Sequence, residues 1–265
     1  MDLFWRRLLW MMDLWWSDGL YSLSALVPLV SLAILYGKRN KLRALPVHPS
    51  AAGIPLVIVA VTITLAADEL NILRSFTPLL IVLMLGGIIV ALWGTAILKE
   101  LLFPLTFLLM LLPIPPSVLQ RIDLPLQILC ARAVESLAHA AGFAMQRAGC
   151  MLLFPGSQTV EVAPACNGVR SSLTLLMLSM IYVYLSRARW QSKLAVLAAA
   201  LPLAYLANLV RLFGIVSGVH FLGDRFMDYE QVFDHLFGLL VFSGCVSMLL
   251  LWAQRVKCKT SVAIS

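Results

Sequence analysis

Charge is scarce in this 265-residue chain: Asp, Glu, Lys and Arg make up 12% of it, against about 25% in an ordinary soluble domain. Apolar residues make up 61%, and the mean hydropathy is +0.93. A globule of this length cannot hide so much apolar surface from water, so the solvent has to be lipid. That excludes a soluble enzyme, a disordered chain and a disulfide scaffold. The apolar residues form long unbroken runs rather than alternating, which argues against a transmembrane β-barrel. The five cysteines include no CxxC pair and no Cys/His metal spacing, so neither dithiol redox chemistry nor a metal or other cofactor is expected. GxSxG, HExxH, internal repeats and low-complexity tracts are missing too, which ranks serine-type and metal-dependent intramembrane proteolysis low. The start, MDLFWRRLLWMMDLWW, buries Arg6 and Arg7 among tryptophans and reads as an interfacial helix rather than a cleavable signal.

With barrels set aside, helices are the only spanning element that satisfies its own backbone. Seven apolar runs are present: Leu20–Tyr36, Ala51–Ala67, Phe76–Leu98, Leu101–Leu112, Asn167–Leu185, Leu194–Val210 and Leu236–Trp252. The expectation is an all-α polytopic membrane protein of about seven (six to eight) transmembrane helices, forming a single integral-membrane domain over 1–265. Residues 1–19 form its interfacial start, 113–165 its extracytoplasmic segment and 254–265 its cytoplasmic tail. Within 113–165, RIDLPLQILCARAVESLAHAAGFAMQRAG has helical apolar spacing with Arg132, Glu135 and His139 on the other face, as in an amphipathic surface helix. MLLFPGSQTVEVAPA alternates around a Pro-Gly turn and reads as a short hairpin leading to Cys166.

Basic residues gather in short clusters between the runs, which speaks for membrane topology and against nucleic acid. Assigning Lys38–Arg43, Lys99, Arg187–Lys193 and Arg255–Lys259 to one side gives that side eleven basic residues and one acid, and leaves nine basic and twelve acidic for the other. The basic side is the cytoplasm, so the N-terminus lies outside and the C-terminus inside. Arg6 and Arg7 fit this poorly, and an extra re-entrant or spanning N-terminal segment stays open.

Three residue types converge on the outer side. Cys166 opens an apolar helix in APACNGVRSSLTLL, where unpaired N–H groups and the helix dipole would lower a thiol pKa. Arg170, one turn on, would favour thiolate further. From Cys166 to Arg187 is 21 residues, about 31 Å at the helical rise and close to the hydrocarbon thickness, so Cys166 belongs at the outer interface. The alternative is a small buried hydrophobe. Arg211, in YLANLVRLFG, is either a snorkelling helix-end arginine or, because LFGIVSGVHFLG stays apolar, a costly arginine at membrane depth with a function. His235, in FDHLFGLL, is either an interfacial histidine beside carboxylates or an acid/base; His220 competes with it, while His48 and His139 are weaker candidates. Asp234 adjoins His235, but neighbours on a helix do not face each other, so no orienting pair is drawn. Cysteine, arginine and histidine together supply a nucleophile, an oxyanion stabiliser and an acid/base, the set acyl transfer from a peptide needs.

The chain resembles the exosortase/archaeosortase family of multipass membrane cysteine transpeptidases. The resemblance runs through WWSDGLYSLSALVPLVSLAILYGKR, FPLTFLLMLLPIPPSV, IDLPLQ, VEVAPACNGVRSSLTLL, ANLVR and HLFG, in that order. Asp18 stands where the family usually has His, and Asn167 where it more often has Ser. The resemblance implies Cys166 as nucleophile, Arg211 as transition-state stabiliser and His235 as general acid/base. It implies as substrates secreted proteins with a C-terminal motif (Pro-Glu-Pro in bacterial systems), one membrane helix and a basic tail, handed to an acceptor such as a cell-surface glycan or lipid. It implies a bacterial inner membrane, with the site facing outward. Arg170 would then assist the thiolate, meet the motif's glutamate or be a plain surface arginine. Asn208, three residues before Arg211, would orient its guanidinium or simply pack between helices, and Asn167 stands beside the nucleophile. A Cys130–Cys150 disulfide suits an oxidising periplasm. The competing class is a non-enzymatic transporter or exopolysaccharide-assembly factor, which would tolerate Cys166→Ser.

Overall fold

The computed structural model describes residues 9, 12, 13, 15, 21–69, 76–155, 159–163, 166 and 168–255. The interfacial segment expected at 1–19 lies almost wholly outside them, as does the tail beyond Arg255. The described chain is mostly helical and clusters into two compact units, one ending at Pro115 and one beginning at Pro116.

In the first unit, α1 (Leu26–Gly37), the short α2 (Arg39–Ala44), α3 (Gly53–Glu69), α4 (Thr77–Trp93) and α5 (Thr95–Phe107) follow the first four apolar runs. The third run was expected to continue to Leu98, yet α4 stops at Trp93. Gly94 adopts φ +92°, a left-handed conformation favouring glycine, and a Cβ there would strike the His48 carbonyl. Lys99 and Glu100 therefore lie inside α5 rather than in a loop. Lys38 and Lys41 reach across to Glu100, at 3.1 and 2.8 Å. Leu29, Leu32 and Ile58 are more than half exposed, a pattern that water would penalise and lipid tolerates.

The second unit begins with α6 (Pro116–Ala140), whose residues Cys130, Ala131, Val134 and Ala138 are buried while Arg132 and His139 are exposed. The helix ends before 149, the limit expected from sequence, because the turn after it carries Gly142 at φ +82°. Three short strands follow, β1 (Gln146–Ala148), β2 (Met151–Leu153) and β3 (Thr159–Glu161), in an antiparallel meander with Arg147 opposite Leu152 and Leu152 opposite Val160. The expected hairpin is β2–β3; β1 is the strand that helical periodicity concealed. Arg147 ties it to α6 through a 2.9 Å ion pair with Glu135.

Next come α7 (Val169–Leu185), α8 (Trp190–Leu222), the single turn α9 (Asp224–Met227) and α10 (Glu230–Arg255). Both α8 and α10 are long and apolar enough to cross a bilayer; Leu26–Gly37, Gly53–Ala66, Thr77–Trp93 and Val169–Leu185 are shorter apolar helices. Apolar residues outnumber what the interior can hold, and Leu239, Leu240 and Leu251 on α10 are largely exposed. At 33 residues α8 would reach about 50 Å, well beyond the roughly 30 Å hydrocarbon core. Two cores account for this length. Leu175, Val196, Ala200, Ala204, Cys245, Leu249 and Ala253 join α7, α8 and α10, the alanines letting backbones approach closely. Further along, Leu209, Leu212, Ile215, Val216 and Val219 pack under α6 and the strands, with Phe143, Leu152, Phe154 and Val160.

Candidate active site

Asn208 and Arg211 occupy the stretch of α8 where the first of these cores hands over to the second. The helix does not end at Arg211, as the run to Val210 implied; it continues eleven residues further, to Leu222. α7 and α8 are joined by a short connection and run antiparallel, so the turn that precedes α7 comes level with the Arg211 stretch of α8. The Arg211 Nη2 lies 3.9 Å from the Cys166 Sγ.

Cys166 does not open α7. It sits in a turn, its N–H donating to the Ala163 carbonyl at 2.8 Å, and the helix starts at Val169 with Gly168 as its cap. Gly168 has φ +85°, and a Cβ built on it would touch Asn208 at 3.4 Å. That geometry removes the dipole effect expected for the thiol, which fades beyond the first turn. Burial instead pushes the Cys166 thiol above the ordinary cysteine value. The Arg211 charge pulls it back, and Asp234 and Glu230 push it further up.

Asn208 is 2% exposed and its Nδ2 donates to the Cys166 carbonyl at 2.6 Å and to the Cys130 thiol at 3.6 Å. It holds the backbone of the cysteine, rather than the guanidinium for which it was considered. Arg211 is instead gripped by Asp234: Nε donates to Oδ1 at 2.5 Å and Nη2 to Oδ2 at 2.6 Å, both side chains being about a fifth exposed. Asp234 lies in the second turn of α10, within a stretch that sequence assigned to a loop.

His235 follows it but is exposed, its Nδ1 2.6 Å from the Gln231 carbonyl. A carbonyl oxygen only accepts, so Nδ1 donates to it and Nε2 is the nitrogen left for proton exchange. No contact links His235 to Cys166 among the described residues. Arg170 is exposed at the second position of α7, its carbonyl bonded by Thr174. Asn167 lies outside the described residues. His220 stacks on Phe143 at 4.1 Å, and the His139 Nε2 faces the Met145 carbonyl at 2.9 Å, so both serve the packing around the strands. Cys130 and Cys150 are both thiols, and the disulfide between them is not formed. No group of three or more His, Cys, Asp or Glu able to hold a metal occurs among the described residues.

A family profile described as transmembrane exosortase matches residues 15–252, which takes in Cys166, Arg211 and His235. The chain belongs to the transmembrane exosortases. Membership makes it a membrane protein of a transpeptidase and protease family in general terms. No curated protein and no solved structure matches this exosortase. The residue that sequence reasoning left out of the site is Asp234. The signal was present in the arginine itself: a guanidinium at membrane depth needs a carboxylate, and the acidic stretch 224–234 supplied the candidates.

Proposed function

We propose that this exosortase is a membrane-embedded cysteine protease and transpeptidase that cleaves the C-terminal sorting signal of secreted proteins and transfers them to an acceptor. In this reading it spans the bacterial inner membrane about seven times, N-terminus out and C-terminus in, with the site facing the periplasm. The substrate carries a short motif, one membrane helix and a basic tail; its helix lies beside the enzyme and delivers the motif to the outer interface. The observation that carries the reading is the Arg211 guanidinium 3.9 Å from the Cys166 thiol, where α8 passes the turn before α7.

The chemistry follows from the residue types. Burial disfavours a standing thiolate at Cys166, so its proton must leave as the sulfur attacks. His235 takes that proton on Nε2, and Arg211 stabilises the oxyanion that forms on the motif carbonyl. The C–N bond breaks, His235 returns the proton to the leaving amine, and the tail departs. An acceptor hydroxyl or amine, deprotonated by His235, then attacks the thioester, and Cys166 leaves as the thiol. Hydrolysis is the same sequence with water as acceptor.

The test is a trapping experiment in membranes holding the full chain and a tagged substrate. Acid quenching should yield a hydroxylamine-sensitive adduct on Cys166 by mass spectrometry, lost in Cys166→Ala, while Cys166→Ser and Cys166→Ala both stop tail release. Normal tail release by Cys166→Ala sinks the proposal and leaves a binding or assembly role.

A further inference from the structure

The guanidinium of Arg211 has two edges, and the protein fills only one. Asp234 takes the edge made by Nε and Nη2, with both oxygens engaged. The second Nη2 proton is turned to the Cys166 sulfur. Among the described residues no acceptor engages Nη1, which leaves two N–H groups directed away from the carboxylate by the planarity of the fork. The helix that supplies Asp234 also supplies the room for this arrangement. Gly238, one turn further on the same face of α10, lies against the arginine stem, and a Cβ there would come within 3.3 Å of Cδ and 3.4 Å of Nε. A carboxylate that merely neutralised the arginine would need neither the two-point contact nor the missing side chain beneath it.

We propose that Asp234 is a positioning residue for the reaction: with Gly238 it clamps Arg211 on the Nε/Nη2 edge, aiming Nη2 at the Cys166 thiol and reserving Nη1 for the substrate's carbonyl oxygen as it becomes an oxyanion. This rests on the reading of Cys166 as the nucleophile. Asp234 touches no reacting atom and acts through Arg211. Its adjacency to His235 is incidental, because the two side chains leave the helix in directions about 100° apart.

The experiment turns on a difference in sign. The groups that act on the thiol are Arg211 from α8, Asp234 and Glu230 from α10, and the backbone of Ala163; Cys130 from α6 is the other thiol beside it. If Asp234 acts only through its own field, neutralising it makes thiolate easier to form and lowers the pH midpoint of Cys166 alkylation. If it clamps Arg211, neutralising it frees the cation to swing away, and the midpoint rises. The pH dependence of iodoacetamide labelling at Cys166 is therefore measured by mass spectrometry on the full chain in nanodiscs, together with kcat and KM for tail release. For Asp234→Asn we expect the midpoint to rise by about one unit and kcat to fall roughly 30-fold or more, with KM within about threefold. Asp234→Glu should recover most of the lost kcat. A midpoint that falls or stays put, or a kcat within about threefold of wild type, overturns the proposal. If Asp234→Asn does not fold, Gly238→Ala, which leaves every charge in place, decides by the same midpoint and kcat criteria. Tail release by Cys166→Ala would instead sink the nucleophile reading, and the labelling midpoint would still judge the clamp.

Discussion

The lysines around Glu100 in the first unit and the Arg211–Asp234 pair in the second are built differently. In the first unit Glu100 draws in two lysines: Lys38 donates to its carboxylate at 3.1 Å and to its backbone carbonyl at 2.7 Å, and Lys41 donates at 2.8 Å from a side chain that is 61% exposed. Ammonium groups on flexible stems need no fixed geometry, and exposed pairs of this kind are worth about 0–1 kcal/mol. In the second unit a planar guanidinium meets one carboxylate at two points, beside a half-buried thiol, so that its N–H donors are assigned one by one. The lysine cluster tolerates substitution because it fixes only that positive charge stays near one helix end. The arginine pair fixes the direction of individual N–H bonds, and that is the property a transition state can use.

The sharpest way to break this contrast is to keep the charge and remove the fork. Arg211→Lys should lower kcat for tail release roughly 100-fold, about 3 kcal/mol, because an ammonium cannot bind Asp234 at two points and face the thiol as well. The matching change in the first unit, Lys38→Arg, should leave kcat within about twofold. Equal effects in the two units would erase the distinction. Asn208→Ala comes next. It strips the donor from the Cys166 carbonyl in a buried site, and should cost about 1–3 kcal/mol in thermal unfolding and roughly tenfold in kcat. A smaller effect is expected from Gly168→Ala, about 1–2 kcal/mol, since an L-residue at φ +85° is strained and its methyl presses on Asn208. Circular-dichroism melts in detergent read both.

Much of this architecture was legible because lipid leaves the sequence little choice. Each of the seven apolar runs contains a helix, and the amphipathic helix and β2–β3 were visible in their periodicities. What was illegible depended on partners distant in sequence. The apolar run 194–210 stops at its arginine, yet α8 continues to Leu222 because α6 and the strands cover residues 209–219. The sequence shows a basic residue at that point and gives no sign of the cover. The break at Gly94 depends on the passing backbone of His48, 46 positions away. The position of Asp234 next to His235 conceals its partner, since adjacency along a helix says nothing about a guanidinium on another. The thiol's environment differs from the expected helix terminus for a local reason: Cys166 stands in the turn before α7, so burial governs it.

The smallest expected effect tests the other side of the comparison. Hydrogen bonds from Lys41 and then Lys38 hold the Glu100 carboxyl below its ordinary range. A carboxylate whose folded-state pKa is depressed stabilises the fold fully above its unfolded value, here near 4.5, and loses that contribution as the pH falls through the lower folded-state value. Glu100→Gln should therefore unfold at slightly lower temperature than wild type at pH 7, by no more than about 1 kcal/mol, with tail release unchanged. On acidification the two melting curves should converge, because wild type gives up what the variant never had. A gap that stays constant down to pH 3 would mean that the carboxylate contributes nothing. The 2.7 Å bond from Lys38 to the Glu100 carbonyl, which does not titrate, would then be what joins α5 to the end of α1.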